Sequence, residues 1–297
     1  LVIHIQGIIN PCKNAFLPPF YSKIDFKYGF NNFLNFLLGR NPLQQFKSFQ
    51  KRVTREEKIL SDAKYVMGRT HWDKMICNLY NPKVKYFHVD EVLRAPFYNV
   101  LYNVKNNSKT QIISTLSPNY YKGLDLVLKT AKVLSEFKTI DFEWVIVGLS
   151  ANDSFVKSFA NKLNIDLFKH NLNFVGRKTP EELVDLLTNS DIYIHPSYID
   201  NSPNSICEAQ LIGLPVIACD VGGVATLINH SNDGILIPSN GVYELSYWVK
   251  HLAENKKTRS SLSNKAKFSA GDRHNFEKIY TSLISTYKQI ILEHKQC

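Results

Sequence analysis

Residues 111 to 238 repeat one pattern, in which a short apolar run of strand length is followed by a turn and then by a segment with helical spacing. Strands are predicted at 111–116, 142–148, 171–176, 191–196, 215–220 and 234–238, and helices at 122–137, 152–163, 180–189 and 204–212. Because parallel strands need a long crossover, which is most often a helix, the alternation predicts a parallel sheet with helices on both faces. Ligands bind such sheets where the strands end.

The first hundred residues carry a sparser form of the same alternation. Strands are predicted at 1–7, 63–68 and 84–89, and helices at 27–39, 43–60 and 71–80. The polar, turn-rich stretch 99–110 is typical of a linker, and 275–295 has the spacing of a long amphipathic helix. A length of 297 residues allows two domains. Three strands make a thin sheet, so we expect further strands and helices of the first domain to precede Leu1.

Composition narrows the class of protein. The chain is 44% hydrophobic and 21% charged, as expected of a globular protein. It contains no run of about 18 apolar residues that would predict a membrane-spanning helix, and no basic and then apolar leader opens it. The five cysteines are scattered without a Cys-x-x-Cys pair, which argues against a zinc site or a disulfide framework. We therefore expect a cytoplasmic protein.

Much of the net charge of +10 comes from residues 11–60, which contain nine Lys and Arg but only three acidic residues. The same segment also contains ten Phe and Tyr residues. A basic and aromatic surface is typical of contact with phospholipid headgroups, a lipid diphosphate or nucleic acid. The alternative is a solvated face over an ordinary helical core. We expect this segment to contact an anionic membrane surface, which would place the protein peripherally on the inner face of the membrane, and we expect no nucleic-acid partner.

Two carboxylates, Asp200 and Glu208, frame a polar turn that runs directly into an apolar helix. Ser202 is predicted to cap that helix, with Pro203 in its first turn. The backbone N–H groups of three residues would then be free at the helix start: Asn204, Ser205 and Ile206. Free N–H groups and the positive end of the helix dipole favour a phosphate at this place.

Further polar residues are expected around that phosphate. Glu208 lies about one turn into the helix, where it can accept hydrogen bonds from a ribose diol, and Asp200 can reach a sugar hydroxyl. Lys122 and Arg177 each follow a strand of the sheet, so both can neutralise a diphosphate at the same edge. His195, inside an apolar strand, is expected to be a core residue or to support the site. A nucleotide sugar carries the groups that this set would bind.

With these residues the sequence resembles a known family, the retaining glycosyltransferases of family 4, which have the GT-B fold. The strongest marker is the pair of acids Asp200 and Glu208, at the spacing of the Glu-x7-Glu motif of that family. The run 203–223 beside it is highly specific. Shorter motifs that agree are 121–123, 173–176 and 191–197. The resemblance covers 111–240 well and the rest of the chain more loosely.

The resemblance implies an α/β protein of the GT-B type, with two Rossmann-like domains facing a cleft and the first domain incomplete. The expected parts are a partial acceptor-side domain (1–105), a nucleotide-sugar-binding domain (106–274) and a helix that crosses back to the first domain (275–297). The implied activity is transfer of a hexosyl-type sugar from a nucleotide sugar, with retention of configuration. The acceptor would be a glycan, lipid-linked and destined for a surface polysaccharide. No metal or other cofactor is expected, and the sequence contains no Asp-x-Asp.

The resemblance also implies a role for each residue of the site. Glu208 would bind the ribose, Asp200 the transferred sugar and Lys122 the diphosphate, and these three would carry catalysis. The helix start would hold the diphosphate as well, and the loop after the third strand of the second domain would approach the base. These further donor-binding residues are Gly176, Arg177, Lys178, Asn204, Ser205 and Ile206. The acceptor-side residues are Gln6, Gly7 and Arg69, with Arg94 as a further candidate.

Several positions depart from the family pattern. The first acid is Asp200 rather than Glu, the loop before Lys122 lacks a common arginine, Thr226 replaces a common acid, and Gln6 stands where many relatives have histidine. The changes at Gln6 and in the loop before Lys122 keep a second interpretation open, a non-catalytic module that binds a nucleotide sugar or a glycan. A third is a sugar-nucleotide epimerase of the same fold, which would not need the basic aromatic segment 11–60.

Overall fold

The computed structural model of the chain describes residues 1–9, 11, 42–105, 108–138 and 140–295, and the side chains of all of these except 42–45. Its strands form two parallel sheets with helices packed around them, which confirms the predicted α/β architecture. The predicted helix 27–39, and with it most of the basic segment before residue 42, lies outside the described residues.

The first sheet has three parallel strands in the order β1 (Val2–His4), β2 (Tyr65–Gly68) and β3 (Lys85–His88). Helix α1 (Pro42–Asp62) precedes β2, and helix α2 (His71–Tyr80) precedes β3. A capping box starts α2. The hydroxyl of Thr70 accepts the backbone N–H of Asp73 at 3.0 Å, and the Asp73 carboxylate accepts the N–H of Thr70 at 3.2 Å.

The second sheet has six parallel strands. Their bounds are β4 (Thr110–Thr115), β5 (Phe142–Val147), β6 (Leu172–Gly176), β7 (Ile192–His195), β8 (Val216–Cys219) and β9 (Ile235–Ile237). The order across the sheet is β6-β5-β4-β7-β8-β9, so the winding direction reverses between β4 and β7. The carboxyl ends of these two neighbouring strands therefore border a crevice, the usual ligand site of such sheets.

Helices cover both faces of the second sheet, which explains why its strands are apolar on both sides. The helices are α3 (Leu124–Phe137), α4 (Ser154–Leu163), α5 (Pro180–Thr188), α6 (Asn204–Ile212), α7 (Val224–Leu227), α8 (Val242–Glu254) and α9 (Lys256–Arg273). Two successive buried hydrogen bonds link the three neighbouring strands β5, β4 and β7. The indole N–H of Trp144 donates to the Ser114 hydroxyl at 3.1 Å, and that hydroxyl donates to the carbonyl of Ile194 at 2.8 Å.

The last helix, α10 (Phe276–Lys295), packs against the first sheet. Ile290 is buried there in one cluster with Tyr65 and Met67. At the outer edge of the same contact, Lys85 Nζ donates to the Glu293 carboxylate at 2.7 Å. Within the described ranges, no helix is both long enough and apolar enough to cross a bilayer.

Helix α1 is amphipathic. Phe49 and Val53 are buried and belong to the main apolar core, whereas Lys47, Lys51 and Arg52 are exposed. This part of the basic segment therefore has a charged outer face over an apolar inner face. That arrangement is common to a solvated helix and to a helix that binds an anionic surface.

A buried polar contact joins the start of α2 to the loop after β7. The Asn201 amide donates to the Asp73 carboxylate at 3.1 Å, and the Thr70 hydroxyl donates to the Asn201 side-chain oxygen at 2.7 Å. Beside this contact, the backbone N–H of His71 donates to the Thr226 hydroxyl at 3.2 Å. The start of α2, beside the first sheet, is therefore hydrogen-bonded to segments that follow β7 and β8 of the second sheet, directly next to the crevice.

The segment 91–98, which leads from the first sheet towards the second, is fixed by His274 at the end of α9. The ring Nδ1–H of His274 donates to the Glu91 carbonyl at 2.7 Å, and Nε2 accepts the Nε–H of Arg273 at 3.0 Å. Tyr98 donates from its hydroxyl to the His274 carbonyl at 2.9 Å. Burial, and after it the charge of Arg273, lowers the pKa of His274 to about 3, so the ring is neutral in the folded protein.

We expect the protein to lose stability in mild acid because of His274. Between pH 3 and its ordinary pKa of 6.5, the unfolded chain binds a proton that the folded ring does not, so the free energy of unfolding rises with pH in this window. Lowering the pH from 7 to 5 should remove about 2 kcal/mol through this group. Urea unfolding at both pH values should show a smaller loss in His274→Asn than in the wild type. An exposed control, His294→Asn, should keep the wild-type loss, and equal losses in all three proteins would contradict the assignment.

The contact between the two sheets can be tested at Asn201. Asn201→Ala removes the amide that donates to Asp73 and the oxygen that accepts the Thr70 hydroxyl, and both of these partners are buried. The substitution should lower the free energy of unfolding by about 1–3 kcal/mol. Chemical denaturation is the measurement, with Asn161→Ala on the exposed side of α4 as the matched control. A change at Asn201 no larger than that of the control would mean that the contact contributes nothing to folding.

Candidate functional site

Three side chains meet at the crevice between β4 and β7, and together they are called the switch-point cluster: Lys122, His195 and Asp200. Lys122 Nζ donates to Asp200 Oδ2 at 2.6 Å, and His195 Nε2 lies 3.1 Å from the same oxygen. The other carboxylate oxygen accepts the backbone N–H of Asn201 at 3.1 Å. The structure thus brings two predicted site residues together and places the buried His195 against one of them.

The electrostatics of the cluster favour an ionised Asp200. Burial opposes ionisation, but the hydrogen bond to His195 and the charge of Lys122 outweigh it and lower the pKa of the carboxyl below its ordinary value. Burial also lowers the pKa of His195, against the raising effect of Asp200. The ring is therefore neutral at pH 7, with Nε2–H donating to the carboxylate. Asp200 is an anion held between a cation and a neutral donor.

A glycine explains how Lys122 reaches Asp200. Lys122 belongs to a short 3₁₀ turn, Tyr120–Lys122, and α3 begins only at Leu124, so the predicted helix start at 122 is wrong. Gly123 separates the two, with φ +75°, and a Cβ there would collide with the carbonyl of Pro196. Because glycine has no side chain, the loop after β4 packs directly on the loop after β7.

Helix α6 starts differently from the sequence prediction. Pro203 is its N-cap residue and no side chain caps it, so the prediction for Ser202 is wrong. The backbone N–H of Ile206 donates to the Pro203 carbonyl at 3.0 Å, and it is therefore not the free donor that was predicted. Asn204 is exposed and Ser205 is half-buried. Their backbone N–H groups have no hydrogen-bond partner in the described part of the chain, which leaves two donors for an anion.

Glu208 lies in the middle of α6 and is 4% exposed. An arginine of segment 91–98 holds its carboxylate in a two-pronged ion pair. Arg94 Nε donates to one carboxylate oxygen at 2.7 Å and Nη2 donates to the other at 2.8 Å. The hydrogen bond to Glu208 raises the pKa of Arg94. Arg94, which the sequence offered as an acceptor-side candidate, thus contacts the residue predicted to bind ribose.

Arg69 stands between the first sheet and the start of α6. Its Nη1 donates to the side-chain oxygen of Asn204 at 3.1 Å and also pairs with the Glu91 carboxylate, while Nη2 donates to the carbonyl of Gln6 at 3.0 Å. Arg69 and Gln6 line a cavity of about 310 Å³ at the carboxyl ends of the first sheet. Gly7 is exposed and is not part of that lining. Two of the three predicted acceptor-side residues are thus brought together.

The loop after β6 stays apart from the switch-point cluster. Gly176 has φ +70°, Arg177 is exposed, and Lys178 pairs at 3.4 Å with Glu182 of α5, the helix that follows the loop. Arg177 makes no ion pair with Asp200, both of them described residues, so the structure does not place it in the cluster. Among the residues that the structure describes, no three His, Cys, Asp or Glu side chains are placed to hold a metal ion.

Several residues of the site carried no clear signal in the sequence. Thr70, Asp73 and Asn201 form the contact beside the crevice, and the capping pattern of Thr70 and Asp73 was the only available hint. Arg94 lies in a segment without helical or strand periodicity, so nothing in its neighbourhood pointed to Glu208. His195, which the sequence offered as a core residue or a support for the site, is both: it is buried and lies against the Asp200 carboxylate at the end of its strand.

The chain is similar in sequence to known glycosyltransferases. Residues 103–268, more than half of the chain, match the family described as glycosyl transferases group 1. An uncharacterized glycosyltransferase of Haemophilus influenzae is 30% identical over 160 residues, which cover 54% of this chain and 43% of that protein. The N,N'-diacetylbacillosaminyl-diphospho-undecaprenol alpha-1,3-N-acetylgalactosaminyltransferase of Campylobacter jejuni is 30% identical over 95 residues, covering 32% and 25%. The matches thus span less than half the length of these relatives.

A solved structure shows the same fold. HepE of Anabaena, in complex with UDP and glucose, superposes with a TM-score of 0.66 at 18% identity, over 97% of this chain and 71% of that one. The fold is therefore that of the GT-B glycosyltransferases, as the sequence predicted. Together with the match over 103–268, the switch-point cluster and its position in the sheet lead to one conclusion. The chain belongs to the family of glycosyl transferases group 1.

Proposed function

We propose that the protein transfers a sugar from a nucleotide-sugar donor to a hydroxyl group of a glycan acceptor. The observation that carries the proposal is the switch-point cluster beside the open start of α6. A cation, an ionised carboxylate and two free backbone N–H groups stand at one crevice. A nucleotide sugar offers a diphosphate and hydroxyls that match these groups. Membership in the family supports the same function.

In this proposal the diphosphate lies against the backbone N–H groups of Asn204 and Ser205, with Lys122 beside it. The diphosphate gains negative charge as the glycosidic bond breaks, so Lys122 stabilises the transition state more than the bound donor. Asp200 accepts a hydrogen bond from the transferred sugar, and Glu208 accepts hydrogen bonds from the pentose. We propose that the loop 176–178 approaches the base.

We further propose that the sugar keeps its anomeric configuration. The bond between the anomeric carbon and the diphosphate oxygen breaks, and a bond from that carbon to the acceptor oxygen forms on the same face. The acceptor proton passes to the departing diphosphate, so no protein nucleophile and no metal is part of the proposed step. Lys122 supports this route because it can balance the charge of the leaving group while Asp200 remains ionised.

The acceptor would enter from the first sheet. The cavity lined by Gln6 and Arg69 lies there, and Arg69 joins it to the helix start through Asn204. The name of the Campylobacter jejuni relative contains a diphospho-undecaprenol acceptor, which supports a lipid-linked glycan as the class to test.

Donor binding is tested by adding UDP or GDP at millimolar concentration and measuring the melting temperature. At least one of them should raise it, because a ligand that binds only the folded state stabilises that state. Lys122→Gln should weaken the affinity at least about tenfold, as expected when a charged hydrogen bond is lost. The matched control is Lys157→Gln on the exposed surface of α4.

Three outcomes separate the possibilities. No shift with either nucleotide or its sugars would contradict the proposed donor class. A shift that Lys122→Gln leaves unchanged would contradict the proposed diphosphate position. A rise in melting temperature without any sugar transfer or donor hydrolysis would favour the non-catalytic binding module over an enzyme.

We also propose that the outer face of α1 contacts an anionic membrane surface. Lys47, Lys51 and Arg52 are exposed on the same helix, above the buried Phe49 and Val53. Exposed lysines and arginines near a membrane surface each contribute about 1 kcal/mol of attraction to anionic lipid. A lipid-linked acceptor would then be presented at the membrane where the protein binds.

Charge reversal tests this membrane contact. The triple variant Lys47→Glu, Lys51→Glu, Arg52→Glu should sediment less with phosphatidylglycerol vesicles than the wild type does, and added salt should weaken the wild-type binding. The matched control reverses three exposed lysines of α9: Lys256, Lys257 and Lys265. Equal losses in both triple variants would mean that only net charge matters, and no loss in the α1 variant would rule out this face.

A further inference from the structure

The ion pair between Arg94 and Glu208 is unequal in its exposure. The Glu208 side chain is 5% exposed, whereas that of Arg94 is 46% exposed. In the described part of the chain, no other polar group contacts the Glu208 carboxylate. A carboxylate buried this deeply depends on its single partner, because without a partner a buried charge is strongly destabilising.

Arg94 is itself held in place before any ligand binds. A 3₁₀ turn, Ala95–Phe97, follows it directly, and the buried ring of Phe97 lies 4.7 Å below the guanidinium carbon. On the other side, the backbone N–H of Leu93 donates to the Tyr98 hydroxyl at 3.1 Å. Tyr98 in turn is bound to His274. The guanidinium group is thus fixed both by its own ring contact and by the anchoring of its segment.

The geometry of the pair leaves part of the carboxylate unused. An ionised carboxylate has about four lone-pair directions, and a two-pronged arginine takes one on each oxygen. The planar fork also fixes the plane of the carboxylate, which a single point charge such as lysine would not do. Each oxygen keeps one free acceptor direction, so the carboxylate can accept two more hydrogen bonds. The two neighbouring hydroxyls of a ribose would donate that number.

We propose that Arg94 is a positioning residue for pentose recognition, which holds the Glu208 carboxylate in the orientation that accepts the ribose hydroxyls. This inference rests on the proposed function, since it takes the donor to be a nucleotide. It gives Arg94 a role on the donor side, through Glu208, and not on the acceptor side. Segment 91–98 then contributes to donor binding although it lies outside both sheets.

The test compares nucleotides that differ by a single hydroxyl. Isothermal titration should measure UDP against 2′-deoxy-UDP, and GDP against 2′-deoxy-GDP, for the wild type, Arg94→Ala, Arg94→Lys and Glu208→Gln. The wild type should bind the deoxynucleotide at least about tenfold more weakly, because one charged hydrogen bond is lost. In Arg94→Ala this penalty should fall below about threefold, and Arg94→Lys should give an intermediate penalty. Glu208→Gln should also reduce it.

A merely structural role would not change the ratio of the two affinities. Arg55→Ala, an exposed arginine of α1, is the matched control and should keep the wild-type ratio. A wild-type ratio in Arg94→Ala would overturn the proposal even if both nucleotides bound more weakly. Tighter UDP binding by that variant would also overturn it, since Arg94 would then compete with the pentose. If Arg94→Ala does not fold, Arg94→Lys decides by the same ratio.

Failure of the proposed function has a different signature. A wild type that binds neither UDP nor GDP would contradict the donor class itself, and the role of Arg94 with it. A wild type that binds a nucleotide but shows no penalty for the missing hydroxyl would contradict only the pentose assignment of Glu208 and Arg94.

Discussion

The ion pair between Lys122 and Asp200 joins the two loops that border the crevice, and the arrangement of the site depends on it. The pair forms because these loops approach each other without intervening side chains. Gly123 of the loop after β4 faces the carbonyl of Pro196, and Gly222 of the neighbouring loop after β8 faces the carbonyl of Asp200, at distances that no Cβ would tolerate. Both have positive φ, which favours glycine further. The close approach of these backbones therefore helps to determine where the charges lie.

Polar side chains from different parts of the chain are paired throughout the site, two of the pairs by opposite charges and one by a hydrogen bond to a neutral amide. Lys122 meets Asp200 within the second sheet, whereas Arg94 and Arg69 connect the first half of the chain to α6 through Glu208 and Asn204. Burying such pairs contributes little net stability, since desolvation offsets most of the attraction. Their effect is on geometry: each fixes the direction of an acidic or amide side chain.

Much of this architecture follows from the periodicity of the sequence. The strand and helix alternation after residue 110 predicts the parallel sheet, and the crevice follows from rules that hold for any such sheet. Asp200 and Lys122 were identifiable because each comes shortly after a strand. The cap of α6 was not, because serine and proline both suit that position and only the backbone geometry decides between them. The partner of Glu208 was equally hidden, since Arg94 is 114 positions away and lies in an irregular segment.

The hydrogen bonds of Asn201 have a mechanical consequence. Asn201 follows Asp200 in the chain, and its side chain is bound to Thr70 and Asp73 at the start of α2, beside the first sheet. Any motion that separated the two sheets would have to break these bonds, and the residue that makes them also donates its peptide N–H to the Asp200 carboxylate. Separation of the two sheets would therefore change the surroundings of the Asp200 carboxylate through a single residue, Asn201.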